Sequence, residues 1–116
     1  LGRAQLRSDS RQLLQGIAQF IGPIRNEVMV EGHTDNIPLR PEAQFETNWE
    51  LSTARATTVV RFFVEDLGLA PPRFSASGYG EYHPVLPNTS DANRGMNRRV
   101  DILIVALDDM NDTFVR

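Results

Sequence analysis

Between Thr47 and Gly68 the chain can be little other than a helix, and a helix of that length limits what its flanks can be. Thr47 and Glu50 stand at the S/T-x-x-E spacing of a capping box, and Asn48 is itself a good N-cap residue. Helix entry is therefore expected at Thr47 or Asn48. Trp49, Ala56, Val59, Val60, Phe63 and Leu67 recur at helical period and form the inward stripe, and Gly68 ends it. A single apolar stripe needs a surface to lie on. That surface is written on either side of the helix. Val28, Met29 and Val30 open an expected strand over 28–32. Downstream, Phe74, Ala76 and Gly78 alternate with Ser75, Ser77 and Tyr79, the pattern of a half-buried strand. Strand, helix and strand in this order close as a right-handed crossover.

The remaining segments add to that unit. Ser8 or Ser10 can cap a first helix carrying Leu13, Leu14, Ile17, Phe20 and Ile21 inward, ended by Gly22-Pro23. Gly16 weakens its middle by about 1 kcal/mol relative to Ala. Pro38 and Pro41 break residues 36–46 into a loop, and Pro71-Pro72 makes a rigid connection. Residues 80–97 read as a long polar loop with one helical turn near Asp91–Arg94, and a loop this long in a compact domain is usually functional. Residues 99–107 read as the last strand, with Val100, Ile102 and Ile104 inward and Arg99 and Asp101 outward. Polar residues on one strand face imply that helices cover the other face only. The expected fold is a two-layer α/β sandwich with a mixed β-sheet and helices on one face. Residues 1–108 make one domain, and 109–116 a polar, frayed tail. At 41% hydrophobic and 23% charged, 116 residues can bury a core without cross-links, and there are no cysteines to supply them. The net charge of −3 gives no reason to expect a nucleic-acid partner. No apolar stretch approaches the length of a membrane span, and no signal peptide is expected within these residues.

Two charges stand out against this frame. In an extended segment Glu31, His33 and Asp35 share one face and Val28 and Val30 take the other, which puts Asp35 on the polar face at the strand's end. A carboxylate there can accept an ammonium group. Arg55 lies about 100° off the helix stripe, on the flank. Seven residues separate Asn48 from Arg55, so the two share an azimuth roughly 10 Å apart along the axis. The free N–H groups and positive dipole of the first turn favour a carboxylate, and a guanidinium can grip one with two parallel hydrogen bonds. Asp35 and Arg55 together suit a zwitterion; the alternative is that they pair with each other.

Other chemistry is weaker. His33, Asp35 and His83 are poorly spaced for a metal site, which needs three or four ligands fixed from behind, and no metal or cofactor is expected. His33 reads better as a turn residue hydrogen-bonded locally. Ser52 and His33 could supply a nucleophile and base, but no nucleophile-elbow motif surrounds either, so no catalytic residue is assigned. Trp49 could stack on a sugar, although its place on the stripe favours packing. Arg98 and Arg99 can pair with Asp101 or Glu81 as surface charges.

Gly-His-Thr-Asp at 32–35, Asn-Trp-Glu-Leu-Ser-x-x-Arg-Ala at 48–56, Gly-Tyr-Gly-Glu-x-x-Pro at 78–84 and Asn-Arg-Arg-Val at 97–100 occur in this order along the chain. Together they resemble the OmpA-like peptidoglycan-binding domain, over nearly the whole chain. The insertion Asn36-Ile-Pro-Leu-Arg-Pro and the run from Phe45 to Ser52 are most similar to the flagellar motor stator branch, with a type VI secretion anchor as the alternative. The resemblance implies a β-α-β-α-β-β order with the first strand cut short near the N-terminus. It implies a non-catalytic ligand contact with the diaminopimelate of the peptidoglycan stem peptide. On that reading Asp35 takes the ammonium, Arg55 the carboxylate, Asn48 makes a further contact, and Thr34 and Arg99 belong to the same groove. It also implies the periplasmic domain of an inner-membrane protein, a homodimer, and a proton- or sodium-channel stator subunit as partner through a membrane helix upstream.

Overall fold

A computed structural model describes residues 6–107. Among them the helices are α1 (Ser8–Ile21), α2 (Asn48–Arg61) and α3 (Asp91–Asn97), and the strands are β1 (Val28–His33), β2 (Phe74–Gly78) and β3 (Arg99–Ile104). Helix α2 begins as its capping box dictates. Thr47 Oγ1 accepts from the N–H groups of Trp49 and Glu50, and the Glu50 carboxylate accepts from Thr47 N–H at 2.9 Å. The expected helix continues past Arg61, but as a π-helical turn over Phe62–Asp66. Both adjacent phenylalanines of that wider turn are buried, and Gly68, at φ 76°, ends it.

The sheet has the order β2-β1-β3. Strands β1 and β2 run parallel, Val30 beside Ala76, joined by the α2 crossover; β1 and β3 run antiparallel, Val30 beside Ile102. The sheet is mixed, as expected. Its core gathers Leu14 and Ile21 of α1, Val28 and Val30 of β1, Ala56 and Val59 of α2, and Phe62 and Phe63, so both long helices pack on one face. Gly32 and Gly78 are neighbours across β1 and β2. A Cβ on Gly32 would run into the Ser52 carbonyl, and one on Gly78 into Thr53 and the Ser52 hydroxyl. Glycine at both positions lets the first half of α2 rest on the backbone at the strand ends, and this fixes Asn48 and Ser52 over the β1 exit.

Several expectations are corrected. In α1 the buried stripe is Leu14 and Ile21 with Ile17 beside it, whereas Leu13 and Phe20 are exposed at 66% and 67%. Leu13 and Phe20 stand one residue, about 100°, off that stripe. Neither Ser8 nor Ser10 caps the helix; the N-cap is Arg7, without a side-chain bond. Trp49 is not core but half exposed; its ring lies against Gly80, past the end of β2, and stacks on Tyr82 at 5.0 Å between centroids. His33 is no turn residue: it closes β1, is buried, and has no hydrogen bond on either ring nitrogen among the described residues. The last strand ends at Ile104 rather than 107. The expected strand stub at the N-terminus falls mainly on residues 1–5, and the expected tail on 108–116, both outside the described residues. Among the described residues no helix is long and apolar enough to cross a membrane.

Candidate functional site

Beyond β1 the chain enters a short buried turn. Thr34 N–H donates to the Gly80 carbonyl at 2.9 Å, and its hydroxyl donates to the Asp35 carbonyl at 2.8 Å. Gly80 N–H in turn donates to Ser52 Oγ at 2.9 Å, and Ser52 Oγ donates to the Trp49 carbonyl at 3.0 Å. Helix α2 thereby holds the β1 exit and the start of the 80–90 loop together. Asn48 completes the clamp: its Nδ2 donates to the carbonyls of Asp35 and Ile37 at 3.3 and 3.1 Å. Asn48 and Thr34 are buried and act here as positioning residues, setting the Asp35 backbone.

Asp35 is buried too, at 7% exposure, not on an open polar face as expected. One carboxylate oxygen accepts from Ile37 N–H at 3.0 Å; the other accepts from Arg98 Nη1 at 2.7 Å. The alternative of an Asp35–Arg55 pair is not what the structure contains, since the ion partner of Asp35 is Arg98. Arg98 leads out of α3 as its C-cap residue. Asn97 before it is fully buried; its side chain accepts from the N–H groups of Val85 and Leu86 and donates to the Leu86 carbonyl and the Asn88 side chain. The 80–97 loop is thus fastened to α3, and Arg98 is aimed at Asp35.

Arg55 is half-buried on the α2 flank and makes no hydrogen bond and no ion pair among the described residues. Burial pushes its pKa below the usual guanidinium value, and the nearby Arg98 pushes the same way, with only Asp35 opposing. Two guanidinium groups therefore share one carboxylate, which leaves the cluster one positive charge in excess. A half-buried cation whose nearby carboxylate is already paired with another guanidinium favours an incoming carboxylate.

Among the five residues expected at the site, Asp35, Asn48, Arg55 and Thr34 are brought together. Arg99 turns to the other sheet face, where its Nε donates to both oxygens of Asp101 at 3.1 and 3.2 Å and its Nη2 to the His83 carbonyl. Its neighbour Arg98 takes the place expected of it. A strand's alternation carried that signal: with Arg99 and Asp101 outward, Arg98 falls on the helix side. A groove of about 620 Å³ on another flank of α2, between Leu6, Phe45 and Phe62, includes none of these residues.

Comparison with known proteins bears on the family and the fold. A model described as the OmpA family matches residues 1–98. Motility protein B of Bacillus subtilis is 40% identical over 106 residues, covering 90% of this chain and 40% of its own length. The C-terminal domain of Helicobacter pylori MotB superposes with a TM-score of 0.82 at 32% identity, covering 93% of this chain and 83% of that one. The cell wall anchor of the type VI secretion system from Pseudomonas aeruginosa superposes with a TM-score of 0.81 at 35% identity, covering 90% and 72%. The chain spans about two-fifths of the length of its motility-protein relative.

Proposed function

We propose, for a chain that belongs to the OmpA family, that this domain binds peptidoglycan without cleaving it and anchors a membrane complex to the cell wall. Arg55 carries the reading: a half-buried guanidinium with no ion pair of its own among the described residues, beside the Asp35–Arg98 pair. The ligand group that fits is the zwitterionic end of diaminopimelate in the stem peptide, with an ammonium and a carboxylate on one carbon. Its carboxylate replaces solvent on Arg55. Its ammonium approaches Asp35, where Arg98, with 48% of its side chain exposed, can yield. Released from Asp35, Arg98 is free to reach the same ligand carboxylate. A hydrolytic role is disfavoured because Ser52 Oγ is buried and engaged on both sides by Gly80 and Trp49.

The relatives named motility protein B support a flagellar motor stator as the anchored complex, in which this domain is periplasmic, dimeric and joined through an upstream membrane helix to a channel subunit. The secretion-system cell wall anchor supports the second reading, another envelope complex held by the same contact. Calorimetric titration with stem peptides separates binding from its absence. A diaminopimelate peptide should bind weakly and with salt sensitivity, since two charge-assisted contacts of about 1.5–3 kcal/mol each face an ordering cost. Equal affinity for a lysine-type peptide, which lacks the distal carboxylate, overturns the role of Arg55. Release of soluble fragments from purified sacculi overturns the non-catalytic assignment.

A further inference from the structure

The sheet face that the long helices leave uncovered carries a second cluster, separate from Asp35 and Arg55. Alternation along β1 puts Glu31 and His33 on this face, and the antiparallel register sets Asp101 of β3 directly beside Glu31. One ligand atom from each of the three lies within 4.8 Å of the others. His33 is only 4% exposed, yet among the described residues neither Nδ1 nor Nε2 has a hydrogen-bond partner. Buried polar nitrogens are nearly always satisfied, so this pair calls for a physical account. Nε2 faces Asp101 Oδ2 across 3.4 Å, without the alignment of a hydrogen bond. Two ligands held at about 2.0–2.2 Å by a tetrahedral ion stand about 3.4 Å apart.

We propose that Glu31, His33 and Asp101 form a binding site for a divalent first-row cation of the zinc type, held by one imidazole nitrogen and two carboxylate oxygens with a fourth position open to water. The donor set suits such an ion, which accepts nitrogen and oxygen together. Outer contacts that orient the ligands are present. Tyr79 OH donates to Glu31 Oε2 at 3.2 Å, and Arg99 Nε is shared between the two oxygens of Asp101. A carboxylate has about four lone-pair positions, so one donor on each leaves room for an ion. The Tyr79 ring stacks flat on His33 at 5.3 Å between centroids, which fixes the imidazole plane. With Arg99 counted, the two carboxylates leave one negative charge for the dication to meet. Bound there, the ion ties β1 to β3 across the sheet. The cluster differs from the His33, Asp35 and His83 set because strand register, not sequence spacing, brings in Asp101.

The test is a calorimetric titration of the chelator-treated chain with zinc chloride, paired with the absorption spectrum of the cobalt(II) form. One ion should bind per chain, with affinity falling on acidification as His33 takes up a proton in competition. Asp101→Asn and Glu31→Gln, which preserve shape, should each weaken uptake by about tenfold or more. His33→Ala should remove the nitrogen signature from the cobalt spectrum. Absence of uptake in a large excess of zinc overturns the site. So does uptake that Asp101→Asn and Glu31→Gln leave unchanged, because the ion is then held elsewhere.

Discussion

Replacing Arg55 by methionine should cost the domain its ligand while leaving its fold as stable as before, or more so. Arg55 gives the folded chain no hydrogen bond and no ion pair among the described residues, and its surroundings push its pKa down through burial and through Arg98. Methionine keeps the length of the apolar stem that packs on the α2 flank and removes the charge. Removing a desolvated, unpartnered charge is neutral or stabilising, so the expected change runs from zero to a gain of about 1 kcal/mol. For a domain of this size that is a rise of up to about 4 °C in Tm. Ligand binding should fall by about 2–5 kcal/mol, because two charge-assisted hydrogen bonds to a carboxylate are lost at once. That corresponds to roughly thirtyfold to several-thousandfold in Kd. Phe63→Ala is the contrasting control: Phe63 is fully buried in the core, and its truncation should cost about 3–5 kcal/mol of stability. Thermal melts of the free variants, beside calorimetric titration of Arg55→Met with a diaminopimelate peptide, read both quantities. A fall in Tm comparable to that of Phe63→Ala makes Arg55 a structural residue. Binding within about threefold of the parent, under about 0.7 kcal/mol, removes it from the site.

Asp35→Asn should also lose ligand, by about 2–5 kcal/mol, since an amide offers an ammonium no counter-charge. Its stability should fall by about 1 kcal/mol, because Arg98 loses its partner while an amide oxygen can still accept from Ile37 N–H; unchanged affinity in the titration sends the ammonium elsewhere. His33 should titrate below its ordinary 6.5, burial being the main cause and Arg99 the next, against Asp101 and Glu31, which raise it; His83 also lowers it. The unfolded chain then binds more protons than the folded one between 6.5 and the folded value. Stability is therefore full above about pH 6.5 and declines as pH falls through the folded pKa. An NMR titration of the metal-free chain that puts the His33 midpoint at or above 6.5 refutes this.

The fold was legible because its determinants are local. A capping box, one apolar stripe and two alternating flanks lead to β1-α2-β2, and each reads the same from either side of the loops. Four of the five residues expected at the site, Asp35, Asn48, Arg55 and Thr34, lie together in the structure, but the partner of Asp35 was not legible: it is Arg98. Asp35 reads as an exposed acid when strand alternation is extended past His33, yet the chain turns at Thr34, whose N–H is taken by Gly80, forty-six residues away. Nothing periodic links the two positions. Trp49 failed for a related reason: helical period gives its azimuth but cannot say that the ring meets Gly80 and Tyr82 of the following loop instead of the core. Arg98 and Arg99 are the instructive pair. The residues are chemically identical and adjacent, but Arg98 is the C-cap of α3 and Arg99 opens β3, and they turn opposite ways, Arg99 to Asp101 and Arg98 to Asp35. The same argument bears on specificity. Since Arg98 already compensates Asp35, a ligand carrying only an ammonium must displace an existing ion pair, whereas one that also carries a carboxylate meets Arg55 and gives the displaced Arg98 a new anion. A monocation should therefore compete poorly with the zwitterion, which is a selectivity that neither Asp35 nor Arg55 could provide alone.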